Sequence, residues 1–275
     1  MKEVFKSLLR DKAGLFGLFG VILILIIAVF APFISPHDPN EINAAMRLSP
    51  PSSQHPFGTD FMGRDIMSRV FYGAQVSFIV GLISVSIGAS IGFILGIVAG
   101  YSKTLDGLIM RTVDILFAFP AILLALLIVS VLGPDLGNTM IAIGVVLIPV
   151  FTRTQRASVI AVKEMDYVSN ANSVGIRTSG VILRHIIPNT LSPIWVQITL
   201  SLSNAILTES TLSFLGLGIQ PPDPSWGSML NEARPFMELA PWTVIFPAIS
   251  IVITILSFNM LGDSLRDVLD PKLKL

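Results

Sequence analysis

The sequence predicts an all-α integral membrane protein with six transmembrane helices and both termini on the cytoplasmic side. Three observations predict it. Charged residues make up 13% of the 275 positions, where a soluble domain carries about 25%. Hydrophobic residues make up 52% and mean hydropathy is +0.77, which suits several apolar spans joined by short loops better than one soluble core. Stretches nearly free of charge, long enough to cross roughly 30 Å of hydrocarbon, recur along the chain.

The first such stretch runs from Ala13 to Ser35, behind Lys2, Lys6, Arg10 and Lys12. It is longer than the apolar region of a secretory signal and lacks an A-x-A cleavage site, so it reads as an uncleaved span. A second span is expected within Val70 to Ser102, a third from Ile115 to Pro134 and a fourth from Leu136 to Thr152. The fifth falls within Ile186 to Thr208, running slightly past Glu209, and the sixth within Leu239 to Gly262, where Pro241 and Pro247 kink or delay the helix. The chain divides accordingly into a front segment with the first span (1–35), an outer loop (36–75), a five-helix core (76–264) interrupted by an inward-facing segment (153–189), and a tail (265–275).

Lys and Arg resist translocation, so their distribution orients the spans. Of the 18 basic residues, only Arg47, Arg64, Arg69 and Arg234 fall outside when the N-terminus is placed inside, which leaves 14 on the cytoplasmic face. An odd number of spans would spoil this split. The formal net charge is zero, so no basic surplus marks a nucleic-acid partner. With no cysteine, thiolate metal sites and redox chemistry are excluded. His37, His55 and His185 are scattered in the sequence, and no metal site is expected.

Several motifs stand out. Gly88, Gly92, Gly96 and Gly100 recur every four residues and so share one helix face, read as a packing face for a neighbouring helix, with a bend or pore lining as the alternative. The outer stretch His55–Asp65, with Asp60, Arg64 and Asp65, reads as a solvated loop or as a segment that caps the bundle or docks a partner. In the inward segment, Tyr167–Gly175 is expected to form a short helix ended by Gly175 in a left-handed conformation. The following stretch leads through Pro188 straight into the fifth span, so a force on the short helix would reach a membrane helix; an ordinary cytoplasmic loop is the alternative. The run Leu215–Gly227 lacks the Gly-Lys-Ser/Thr ending of a phosphate loop, and Trp226 and Trp242 read as interfacial aromatics. Glu209 sits in an apolar context, which makes it a pathway or partner candidate. Its distance from the start of the fifth span, roughly 29 Å at about 1.5 Å per residue, favours a snorkelling or helix-end role instead. Asp114 occupies the inner edge of the third span in the same way.

Taken together, His55–Asp60 with Gly63–Asp65, Tyr72–Ser77, Asp114 with Phe119-Pro120, Arg184–Asn189, and Leu212–Gly218 through Pro224–Gly227 resemble the dipeptide/oligopeptide/nickel class of binding-protein-dependent ABC permeases, C-type subunit. The likeness spans almost the whole chain. It implies a type I ABC importer permease bundle, multi-pass in a bacterial cytoplasmic (inner) membrane. It further implies that this chain binds no cofactor and carries no catalytic residue, ATP and magnesium being held by partners. Those partners are a related second permease, two ATP-binding subunits and an extracytoplasmic substrate-binding protein. By the same resemblance, Tyr167, Val168, Ser169, Asn170, Ala171, Asn172, Ser173, Val174, Gly175 and Pro188 correspond to the coupling helix and its exit, seated in a groove of the ATPase. Ser169 and Asn170 stand where the family usually has Glu and Ala, which removes any ion pair that glutamate makes. The low-specificity pathway or binding-protein candidates are Asp60, Arg64, Asp65, Asp114, Glu209 and Trp226. Dipeptides or short oligopeptides are the expected cargo, with nickel or glutathione as alternatives. From a different class, an ion-gradient carrier would want ionisable or broken-helix sites at the membrane midplane, and the sequence offers only Glu209.

Overall fold

The computed structural model describes residues 11–269, and every element in it is helical. Lys2, Lys6, Arg10, Lys272 and Lys274, on which part of the charge count rests, lie outside the described residues. The long helices are α1 (Lys12–Ile34), α2 (Ile66–Tyr101), α5 (Leu136–Lys163), α8 (Ile187–Phe214) and α10 (Trp242–Leu269). Between α2 and α5 come α3 (Lys103–Phe117) and α4 (Ala121–Leu132); between α5 and α8 come the short α6 (Asp166–Ser173) and α7 (Thr178–Val181); α9 (Trp226–Ala233) precedes α10. By length and composition α1, α2, α5 and α10 are each able to cross a membrane, and the pair α3–α4 adds a fifth candidate if counted as one broken span.

The packing inverts that of a soluble protein. On α1 the buried face is made of Gly14, Gly17, Gly20, Ile24, Ala28 and Ala31, while Phe16, Phe19 and Phe33 are 71%, 65% and 83% exposed. Small residues turned inward let backbones approach, and large apolar ones turned outward suit a lipid solvent. A Cβ on Gly17 would stand 2.6 Å from the Leu261 backbone nitrogen.

Helix directions follow from such contacts. Gly14 faces Ser264 and Gly20 faces Ser257, so α1 and α10 are antiparallel and the start of one lies beside the end of the other. Ser203 on α8 bonds Asn259 on α10 while Leu200 packs on Gly262, again antiparallel. Ser77 on α2 reaches Glu209 on α8, and Gly81 packs on Ile206, a third antiparallel pair. By contrast Gly88, Gly92, Gly96 and Gly100 meet Leu147, Phe151, Gln155 and Val159 in step, so α2 and α5 run parallel. The bent pair α3–α4 therefore carries the chain back along α2 before α5 begins.

Several expected boundaries move. Helix α2 starts at Ile66, inside the segment 36–75 assigned to the outer loop, because Asp65 caps it by accepting from the Ser68 amide. The third span is not one helix: α3 and α4 meet at 90°, across Ala118-Phe119-Pro120, where proline has no amide to donate and biases the preceding residue toward an extended conformation. Helix α5 continues past Thr152 to Lys163, so the first third of segment 153–189 is helix rather than loop, and α10 runs into what was assigned to the tail from 265.

Candidate functional site

At the end of the bundle where α2 and α5 finish, the short helix expected over Tyr167–Gly175 is α6, Asp166–Ser173. Val168 is fully buried and Ala171 is buried, both packed with Val159, Val181 and Ile186 against Ile97, Tyr101 and Val162. That apolar knot joins α6 to the C-terminal ends of α2 and α5 and to the approach to α8. The opposite side is open: Tyr167, Ser169, Asn170 and Ser173 are exposed, as is Val174. Gly175 has φ +81°, and the Ile176 amide donates to the Ala171 carbonyl at 3.2 Å across it. This is the left-handed helix stop read from the sequence. The chain then rises through α7 and a π-helical turn, Ile182–Ile186, directly into α8, with Pro188 in the first turn, where its missing amide costs nothing.

Three polar contacts brace this end. Buried Gln155 on α5 donates to Thr190 on α8 at 2.9 Å. Arg156 grips Asp106 on α3 through two bonds of 2.5 and 2.6 Å. Asp114 accepts from Arg153 at 2.6 Å with both side chains about half exposed, so it ties α3 to α5 at the surface. Beside them a cleft of about 690 Å³ opens between α5, α8 and α10, lined by Thr154, Asn189, Ser192, Gln197 and Arg266 among others. The sequence reading missed these residues. On α8 their signal was the polar residues Asn189, Ser192 and Gln197 in the first half of an otherwise apolar span; Thr154 and Arg266, on the neighbouring helices, gave none.

Glu209 is not a snorkelling group. It is completely buried and accepts from Ser77 of α2 at 3.2 Å and from Ser213 and Ser210 of its own helix at 2.8 and 3.4 Å. Hydroxyls at the crossing of α2 and α8 replace the water that a helix-end carboxylate would have found.

At the opposite end of the bundle, the stretch 55–65 is not a solvated loop either. Asp60, Arg64 and Asp65 are buried. Arg64 donates to Asp60 at 2.6 Å and to Glu232 of α9 at 2.5 Å, and Arg69 donates to the Pro39 carbonyl at 3.1 Å. The loop is thereby clamped over the bundle, the cap alternative of the sequence reading. Gly63, at φ +78°, passes so close to Asn43 that a Cβ would overlap its carbonyl oxygen. Trp226 is 2% exposed, donates to the Val70 carbonyl at 3.0 Å and packs on Gly73, so it is a core residue and not an interfacial or docking aromatic. Trp242 is likewise seated on protein, its indole donating to the Thr59 carbonyl at 3.2 Å. Two of the three imidazoles thought scattered meet here: the His37 and His55 rings are 4.6 Å apart.

A family model described as the binding-protein-dependent transport system inner membrane component matches residues 92–275, the part that holds α6, its exit and the cleft. The chain belongs to this family. A second model, the N-terminal TM domain of oligopeptide transport permease C, matches residues 1–51. Over 99% of its length the permease is 46% identical to the dipeptide transport system permease protein DppC of Alkalihalophilus pseudofirmus, covering 90% of that protein. It is also 49% identical, over 82% of its length and 74% of theirs, to the glutathione transport system permease proteins GsiD of Escherichia coli and Shigella sonnei. These relatives are transport permease components and not enzymes. The permease is a multi-pass membrane protein.

Proposed function

We propose that this permease is the six-span subunit of an ATP-driven importer of short peptides in a bacterial inner membrane, with both termini in the cytoplasm. The observation that carries the reading is α6: a short helix fastened to the bundle by Val168 and Ala171, open on its other face, and continuous through Pro188 with α8. Closure of a partner ATPase pair around nucleotide would press on α6 and move α8, which carries one wall of the cleft and Glu209. Ser169 and Asn170 lie on the open face, so the glutamate usual there is absent, and exposed Asp166, one turn before Asn170, is the acidic side chain on α6 that can meet a basic partner. The expected assembly adds a related second permease, two ATP-binding subunits holding ATP and magnesium, and an extracytoplasmic binding protein. This chain is expected to bind no cofactor and no nucleic acid.

The alternation of helix directions supports six crossings, with the bent α3–α4 pair as the third. The named cargoes of the relatives support the substrate class, since glutathione is itself a short peptide, and the hydroxyl and amide side chains of the cleft suit peptide groups. A bistable bundle whose two states differ in affinity for its partners satisfies the energetic requirement for alternating access. The test is to tag the C-terminus, extract membranes in mild detergent and identify co-eluting proteins by mass spectrometry. A second permease and ATPase subunits are expected; recovery of the chain alone or as a homo-oligomer would overturn the coupling role. Reconstituted vesicles given labelled dipeptide or glutathione then separate the two cargoes.

A further inference from the structure

The outer loop closes on itself at the start of α2, and it brings donor atoms of a kind the transport reading does not use. His55 Nδ1 stands 2.9 Å from Asp65 Oδ1. One donor atom from each of His37, His55 and Asp65 lies within 4.8 Å of the other two. Each residue is held in place from behind. The His37 amide donates to Ser68 Oγ at 3.1 Å, and that hydroxyl donates to Asp65 Oδ2 at 2.8 Å. The His55 amide donates to Ser52 Oγ at 3.1 Å. His37 Nε2 lies 3.1 Å from the Gln54 carbonyl oxygen; a carbonyl only accepts, so Nε2 carries the proton and Nδ1 keeps its lone pair. Such an outer hydrogen bond is how metal-binding imidazoles are usually oriented.

A cavity of about 480 Å³ lies over the three residues, and Asp38 and Glu41 also line it, with no Lys or Arg among its lining residues. Two imidazoles and three carboxylates thus share a pocket without a basic side chain, which a capped helix alone does not require. We propose that His37, His55 and Asp65 form a binding site for a divalent transition-metal ion of the zinc class on the outer loop. Two imidazoles and one carboxylate are a common three-ligand set for zinc, water taking the fourth position. Ligands of one tetrahedral zinc stand about 3.3 Å apart, so side-chain rotation closes the present separations. The ion displaces the proton shared by His55 Nδ1 and Asp65 Oδ1, and its affinity therefore falls in acid. Bound there, it staples the residues just after α1, the middle of the loop and the cap of α2 into one unit.

The test uses the full chain, purified without an oligohistidine tag, stripped with chelator and dialysed against Zn²⁺. Elemental mass spectrometry counts bound zinc, and thermal unfolding is followed with and without the ion. One zinc per chain and a raised Tm are expected. His37→Ala and His55→Ala should each weaken binding at least tenfold, and His185→Ala should leave it unchanged. His37→Ala is the more telling variant, because it removes no buried ion pair and should fold normally. Less than half an equivalent in the unsubstituted chain, or binding untouched by both substitutions, would overturn the site.

Discussion

Arg64 and Asp114 each belong to an ion pair, but burial separates what those pairs do. Arg64 is 4% exposed at its side chain and bridges two carboxylates, Asp60 and Glu232. Replacing it leaves Asp60 and the half-buried Glu232 with only Arg69, 3.7 and 3.5 Å away, as a cationic partner, so Arg64→Ala should cost about 2–3 kcal/mol, short of the full penalty for an unpaired buried charge, seen as a lower Tm and as faster proteolysis of the outer loop. Asp114 and Arg153 are 58% and 44% exposed, and Asp114→Ala should cost no more than about 1 kcal/mol. Asp60, Arg64 and Asp65 were legible because they are neighbours in sequence. Glu232, which completes the network from α9, was not, since nothing local to a chain announces a partner 168 positions away. The same holds for His37 and His55, brought together only when the loop closes, and for Glu209, whose serines on α2 turned an apparent helix-end group into a buried one.

Helices and their joints were read more faithfully in their middles than at their ends. The four-residue glycine repeat correctly marked a packing face, because close approach needs small side chains at that period. A Cβ on Gly92 would already stand 2.5 Å from Phe151 Cβ, whereas one on Gly107 would meet nothing within 4 Å. Gly92→Leu should therefore destabilise by at least the roughly 1–3 kcal/mol typical of overpacking. Gly107→Ala should be neutral or gain up to about 1 kcal/mol from helix propensity; melting in detergent compares the two. Gly175 was also legible, since a glycine after a short amphipathic run is a helix stop. Proline cannot adopt its φ of +81°, so Gly175→Pro should displace α6 and abolish uptake while membrane levels stay normal, measured by transport assay beside immunoblotting. Normal uptake by that variant would count against coupling. Boundaries failed where polar residues extend a helix beyond the hydrocarbon: charge-free windows end at Thr152, yet α5 runs to Lys163. The break at Pro120 was missed because hydropathy continues smoothly across it.

For the molecule as a whole, the decisive feature is the parallel course of α2 and α5. Two consecutive long helices that run the same way need a return path between them, and only α3 and α4 supply one. If that pair merely dipped into the membrane and came back, α5 would start at the end where α2 finishes and the two would be antiparallel. The matched contacts of Gly88 to Gly100 with Leu147 to Val159 contradict that. The antiparallel packing of α1 and α10 supports the proposed even number of crossings, the number expected from the asymmetry of Lys and Arg. Reporters that distinguish the two sides of the membrane test this directly when fused after Ser53, Ser102, Gly133 and Leu269. Ser53 and Gly133 are expected outside, Ser102 and Leu269 inside. A Gly133 fusion reporting on the same side as Ser102 would make α3–α4 a re-entrant hairpin and reverse every later helix. Segment 153–189 would then lie outside the cell, and α6 would be beyond the reach of any ATPase.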